Sequence, residues 1–188
     1  MQLFVKWSKK EEFKIKKSAS IFQNLGEARL LSLTKRFYDK FFKDEHLKKF
    51  VKDPTEPHGE RLALYIQEKM TDNLVYTSSR PLNSRSIHHA KAWFCPKREF
   101  EKQGRRFKLD DCRIWMRLMF LSIKEEGLHT FHHGEFLDYM IYFIKRFIVV
   151  YERSAYNFVK ESLEWSFQIE SVLTYEKFPL MLDVIEVK

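Results

Sequence analysis

Chain breakers and cross-links are scarce in this sequence. Glycine and proline occur five times each, and cysteine only twice. So few breakers exclude a fold of many short strands and tight turns, and favour long helices. The two cysteines, Cys95 and Cys112, form no CxxC pair. A disulfide framework is therefore not expected, and a reducing, cytoplasmic setting is the default. Long apolar runs are missing too. The strongest, residues 136–151, is interrupted by Asp138, Lys145 and Arg146, so it is too short and too charged to span a bilayer. Residues 6–17 are dense in lysine and hold Trp7, Phe13 and Ile15. They lack the continuous apolar core of a secretion signal and read as a basic extension, or a short amphipathic arm.

Aromatic residues, by contrast, are plentiful. They make up 16% of the 188 residues, and phenylalanine alone occurs 18 times. This loading argues against disorder despite 32% charged residues. It also suits a cavity for a flat apolar guest, because rings supply large rigid surfaces. The length fits one compact domain with a real core. The formal charge of +8 reads first as a solvated lysine-rich surface, and second as a contact for nucleic acid or acidic membrane.

Helical periodicity organises the chain. Residues 27–42 place Leu30, Leu33, Phe37 and Phe41 at helical spacing. A first helical piece, 18–24, precedes them across Gly26. Residues 44–52 read as a short helical turn before Asp53-Pro54 and Pro57 break the chain. A helix over 57–70 puts His58, Leu62, Tyr65 and Ile66 on one face. Residues 71–83 read as loop, 84–93 as a short helix and 94–108 as a basic loop. The spacing predicts a helix over 109–124 with Ile114, Trp115, Leu118 and Leu121 inward, and another from 134 to 151 or beyond. A further helical stretch is expected at 156–170.

Seven histidines are candidates for metal chemistry: 46, 58, 88, 89, 129, 132 and 133. None has zinc-finger or metalloprotease spacing. His46 sits among lysines and reads as surface; His129, His132 and His133 read as a helix-capping loop. His88 and His89 differ, standing on a short helix between two loops, beside Ile87, Ala90 and Trp93. Adjacent helical residues point about 100° apart, so only one of the pair can face a buried guest.

Taken in order, these residues resemble a known family. Phe37-Tyr38, then Asp44, Leu47 and Phe50, are similar to the second and third helices of the truncated haemoglobins, especially group II. Gly26 matches the glycine before them. His58-Gly-Glu-Arg61-Leu62 resembles the distal helix. Asp110-Asp-Cys-Arg-Ile-Trp115 resembles the helix whose tryptophan packs near the haem, and residues 136–153 resemble the final long helix. The resemblance covers about residues 18–153. It departs from the family in a longer stretch between His89 and Trp115 and in the absence of a glycine-rich motif after the distal helix.

The resemblance implies an all-α, globin-like truncated 2-on-2 helical sandwich around one haem b (iron protoporphyrin IX). The haem domain would span 18–155, with a polar, basic extension at 1–17. A helical extension at 156–188 would pack on or beside it. His89 would be the proximal iron ligand, with His88 the alternative, and His58 a candidate distal sixth ligand. Tyr38, His58 and Trp115 would stabilise bound ligand. Phe37, Phe50, Leu62, Ile66 and Trp93 would pack round the cofactor. Arg85, Lys91 and Arg98 are propionate candidates.

The implied function is binding of dioxygen, nitric oxide or another diatomic ligand. Redox chemistry of the dioxygenase or peroxidase kind, supplied by a reductase, fits a polar distal side better than transport. Two other functions compete: a basic helical module for nucleic acid or an acidic partner without haem, and a haem-based sensor signalling through the extensions.

Overall fold

The computed structural model describes residues 15–130 and 132–168. Within them the protein is all-helical, with no strand. Seven α-helices carry the fold: α1 (Ile15–Leu25), α2 (Glu27–Lys43), α3 (His58–Thr71), α4 (Ser84–Trp93), α5 (Leu109–Glu125), α6 (Gly134–Phe143) and α7 (Val159–Gln168). No helix among the described residues is long and apolar enough to cross a membrane.

Local chemistry sets the helix ends. Gly26 breaks α1 from α2 at a φ of 81°, a left-handed conformation that costs a glycine little. Asp44 follows α2, and its carboxylate accepts the backbone N–H groups of His46 (3.0 Å) and Leu47 (2.6 Å). That starts the 3₁₀ turn Leu47–Phe50. Asp111 caps α5 by accepting the Lys108 backbone N–H at 2.6 Å. Its second bond is to His46.

The core forms where α2 packs on α3 and α5, α1 on α3, and α7 along α5. Leu33, Phe37, Ile66, Met70, Leu118 and Phe143 are shut off from solvent. Each such side chain contributes roughly 1.5–3 kcal/mol by burial. Polar ties fix the register. The buried Lys40 ammonium meets Glu125, and Arg36 meets Glu126 at 2.6 Å, joining α2 to the end of α5. Glu68 accepts the backbone N–H groups of Tyr76 (3.1 Å) and Thr77 (2.7 Å), pinning the loop after α3.

Three boundaries differ from the sequence expectation. The first helix begins at Ile15, inside the expected extension; residues 1–14 lie outside the described residues. The expected long helix from residue 134 is interrupted. It is α-helical to Phe143, π-helical over Ile144–Ile148, and 3₁₀ over Val149–Tyr151 and Arg153–Phe158. Apolar periodicity persists through such a break, so a sequence pattern does not mark it. The last stretch packs on the fold as far as Gln168, and the 3₁₀ helix Arg153–Phe158 runs across the expected boundary at residue 156. Val159 and Leu163 belong to the main core, and the buried Arg117 of α5 pairs with Glu161 of α7. The expected tail beyond residue 168 lies outside the described residues.

Candidate functional site

A cavity of about 980 Å³ opens between α2, α3, α4, α5 and the segment after α6. That lies at the top of the range for small-molecule and cofactor pockets. Its lining is mainly apolar and aromatic, with Arg61, Arg80, Arg85 and Lys91 among the charged residues.

Of the residues singled out from sequence, nine line this cavity: Tyr38, Phe50, His58, Leu62, Arg85, His88, His89, Lys91 and Trp115. Three do not. Phe37 and Ile66 are wholly buried in the core behind it. The Phe37 ring stands 5.0 Å from Trp115, so it backs the wall rather than forming it. Trp93 packs outside, under the Arg106 guanidinium and against Phe107. Arg98 is also not a cavity cation. It is buried, and donates to the carbonyls of Trp93 (2.7 Å) and Arg105 (2.9 Å).

The histidine pair divides as helix geometry requires. His88 is exposed, and its Nδ1 bonds the Ser84 carbonyl at 2.6 Å. His89 turns inward. Its ring meets the edges of Tyr151 at 4.7 Å and Phe107 at 5.6 Å. Its Nδ1 is buried with no hydrogen-bond partner. Burial, helped by the nearby charges of Arg85 and His88, holds its pKa down to about 4. His89 is therefore a neutral imidazole at pH 7, with a lone pair available to a metal.

Tyr38, Trp115 and His58 come from α2, α5 and α3. The Tyr38 ring lies 5.4 Å from that of His58. Burial pushes the Tyr38 phenol well above its ordinary pKa, so it stays a protonated donor. His58 Nε2 bonds the Asp53 carbonyl at 2.9 Å. That nitrogen is engaged at the chain break before α3, so in this conformation it is not presented to the cavity.

Sequence reasoning missed several lining residues. Arg80 lines the cavity and stacks on Tyr76 at 4.7 Å, much as Arg85 stacks on Tyr65 at 4.7 Å. Arg85 also donates to the Tyr65 hydroxyl. Neither arginine makes an ion pair with a carboxylate among the described residues. Arg80 lies in a Thr/Ser loop without periodicity, so no pattern pointed to it. Tyr151 and Phe107 approach His89 only through the fold. Cys95 and Cys112 also line the cavity. Burial and the neighbouring Asp111 push the Cys112 thiol up to about 12, so it remains uncharged.

No group of three or more His, Cys, Asp or Glu side chains among the described residues could hold a bare metal ion. His133 Nε2 meets Arg29 at 2.7 Å, and the His129 ring lies against Phe167. Neither contact is a helix cap: His133 stands at the N-cap of α6 without a side-chain cap bond, its ring on Arg29 instead. No protein-family model, curated protein or solved structure matches this chain.

Proposed function

We propose that this cavity holds one haem b, with His89 as the axial ligand, and that the protein binds a diatomic ligand such as dioxygen or nitric oxide. One observation carries the reading. A neutral, inward-turned imidazole stands in a large aromatic cavity with no polar partner of its own. A buried ring nitrogen without a partner costs free energy, and ligation at its other nitrogen would give the ring a role. Iron ligands usually have the second nitrogen hydrogen-bonded. Here the edges of Tyr151 and Phe107 orient the ring instead, so His89 would ligate as a plain neutral imidazole.

The remaining lining fits the same guest. Leu62, Phe50 and Phe107 offer apolar contact to a porphyrin. Arg80 and Arg85, already stacked and lacking carboxylate partners, suit the two propionates. Lys91, exposed on α4, also lines the cavity. The haem supplies a ferrous iron able to bind diatomic ligands. This chain's residues would hold the ring, and Tyr38 and Trp115, both in the cavity wall, would be the donors to the bound ligand. His58, its Nε2 on the Asp53 carbonyl, would act as a gate beside the ligand space rather than as a second ligand.

Haem titration tests the reading. The full chain should take up one equivalent with a Soret band; His88→Ala should keep it, and His89→Ala should lose it. A chain that stays colourless with excess haem sinks the proposal. The competing basic module without haem requires that colourless result.

A further inference from the structure

The outer face of the loop after α4 is not used by the cavity reading, which takes only its inward Phe107. Residues 94–108 carry exposed Lys97, Lys102, Arg105, Arg106 and Lys108, and exposed Lys91 adjoins them on α4. Against these six cations the same stretch exposes only Glu99 and Glu101. Glu99 already pairs with Lys102 at 2.7 Å and Lys49 at 3.8 Å. Two large rings stand outside among the charges: Phe94 is 65% exposed and Phe100 86%.

This loop has a fixed shape. Arg98 is buried at its centre and bonds the carbonyls at both ends, those of Trp93 and Arg105. Gln103 donates to the Arg98 carbonyl at 3.1 Å. Gly104 turns at a φ of 75°, where a Cβ would meet the Phe94 ring at 3.0 Å. Lys97 reaches the Val51 carbonyl at 2.9 Å. An ordered loop that exposes large aromatic rings among cations has the anatomy of a protein-binding patch. Such a ring is an anchor, and the charges guide encounter.

The inner side of the loop touches the cavity. Phe94, Cys95 and Pro96 line it, and Phe107 packs on His89. A partner seated outside would lie one layer of side chains from the cavity.

We propose that residues 94–108 are the docking surface for an acidic electron-donor protein that reduces the haem. This rests on the haem reading. One electron passes from the reduced donor to ferric iron, leaving the donor oxidised by one electron and the iron ferrous. The carboxylates of the donor meet Lys102, Arg105 and Arg106, and an apolar spot covers Phe100. Glu99 and Glu101, set among the cations, favour a protein over a uniform polyanion such as nucleic acid.

Stopped-flow reduction of the haem-loaded full chain tests this, with a pre-reduced acidic ferredoxin as the probe. The second-order rate should fall steeply with salt. The triple variant Lys102→Glu, Arg105→Glu, Arg106→Glu should slow it about tenfold or more, and Phe100→Ala several-fold. Reduction by lumiflavin, a small neutral donor, should not change in either variant. These are exposed side chains, so an unchanged Soret band and melting point verify that the variants fold. A triple variant reduced by ferredoxin at the wild-type rate overturns the proposal. So does a wild-type chain that binds single-stranded oligonucleotide through these same cations. Failure of the haem reading itself shows earlier, as a chain with no Soret band.

Discussion

The cavity has two kinds of wall. On one side, α2, α3 and α5 stand against a filled core; Leu33, Phe37, Ile66 and Leu118 behind them are shut off from water. On the other side, α4 makes no extended contact with another helix. Only Ser84 of α4 is buried, while Ile87 is 45% exposed. It is held instead by Arg85 on the Tyr65 hydroxyl, by two ring edges on His89, and by the loop bonds to Trp93. The first wall keeps its shape through its own packing. The second faces a cavity, so a ligand there would supply the missing packing partner. Local stability follows buried apolar contact, and the two walls should therefore respond differently to ligand, acid and mutation.

Haem should produce the largest difference. At free haem a thousandfold above its dissociation constant, the folded state gains about 4 kcal/mol. Hydrogen exchange should slow mainly in α4 and much less in α7. Equal protection of both helices would erase the proposed contrast.

Acid comes next. A free histidine titrates near 6.5, whereas burial holds His89 down to about 4. As pH falls below 6.5 the unfolded chain takes up this proton, while the folded chain does not until about 4. The stability linked to His89 is thus intact above pH 6.5 and declines by up to about 3 kcal/mol between 6.5 and 4. Denaturant titrations of wild type and His89→Phe should diverge across that window. Parallel curves would mean the ring is not held neutral.

The far side of α5 gives the control. Arg117 is buried, pairs with Glu161 and lies over the Trp165 ring. Arg117→Met should cost about 2 kcal/mol, less than for a fully buried pair because Glu161 stays partly solvated. It should leave haem uptake unchanged; a variant that loses the Soret band while still folded would couple the two regions. The smallest effect concerns Tyr38→Phe. Loss of one hydrogen bond of about 1 kcal/mol should speed dioxygen release about fivefold in flash photolysis. An unchanged rate would leave Trp115 as the donor that matters.

Much of this was legible before any coordinates. The apolar spacing of Leu30, Leu33 and Phe37 marked α2, and the short helix expected at 84–93 is α4 (Ser84–Trp93). Order along the chain singles out Tyr38, His58, Leu62 and Trp115, and they share one cavity. The same order singles out Phe37, Ile66 and Trp93, which fall outside it. Periodicity says that a residue faces inward; it does not distinguish packed core from the wall of a hole. Arg80, Tyr151 and Phe107 could not be foreseen, since loops and helix breaks carry no periodic signal.

The sequence alone determined an all-helical chain with few breakers, and reduced the choice of an inward histidine to His88 or His89. Both depend on local patterns: helix spacing, caps, and the 100° step between neighbours. The tertiary structure decided between them. It turned His89 inward by setting Tyr151 and Phe107, distant in sequence, against its ring, and left His88 at the exposed margin of the cavity with its Nδ1 on the Ser84 carbonyl. Arg98 is held within its own loop by the Trp93 and Arg105 carbonyls, and Arg80, rather than Arg98, lines the cavity. Burial and partner depend on which segments meet, and that is settled only when the chain closes on itself.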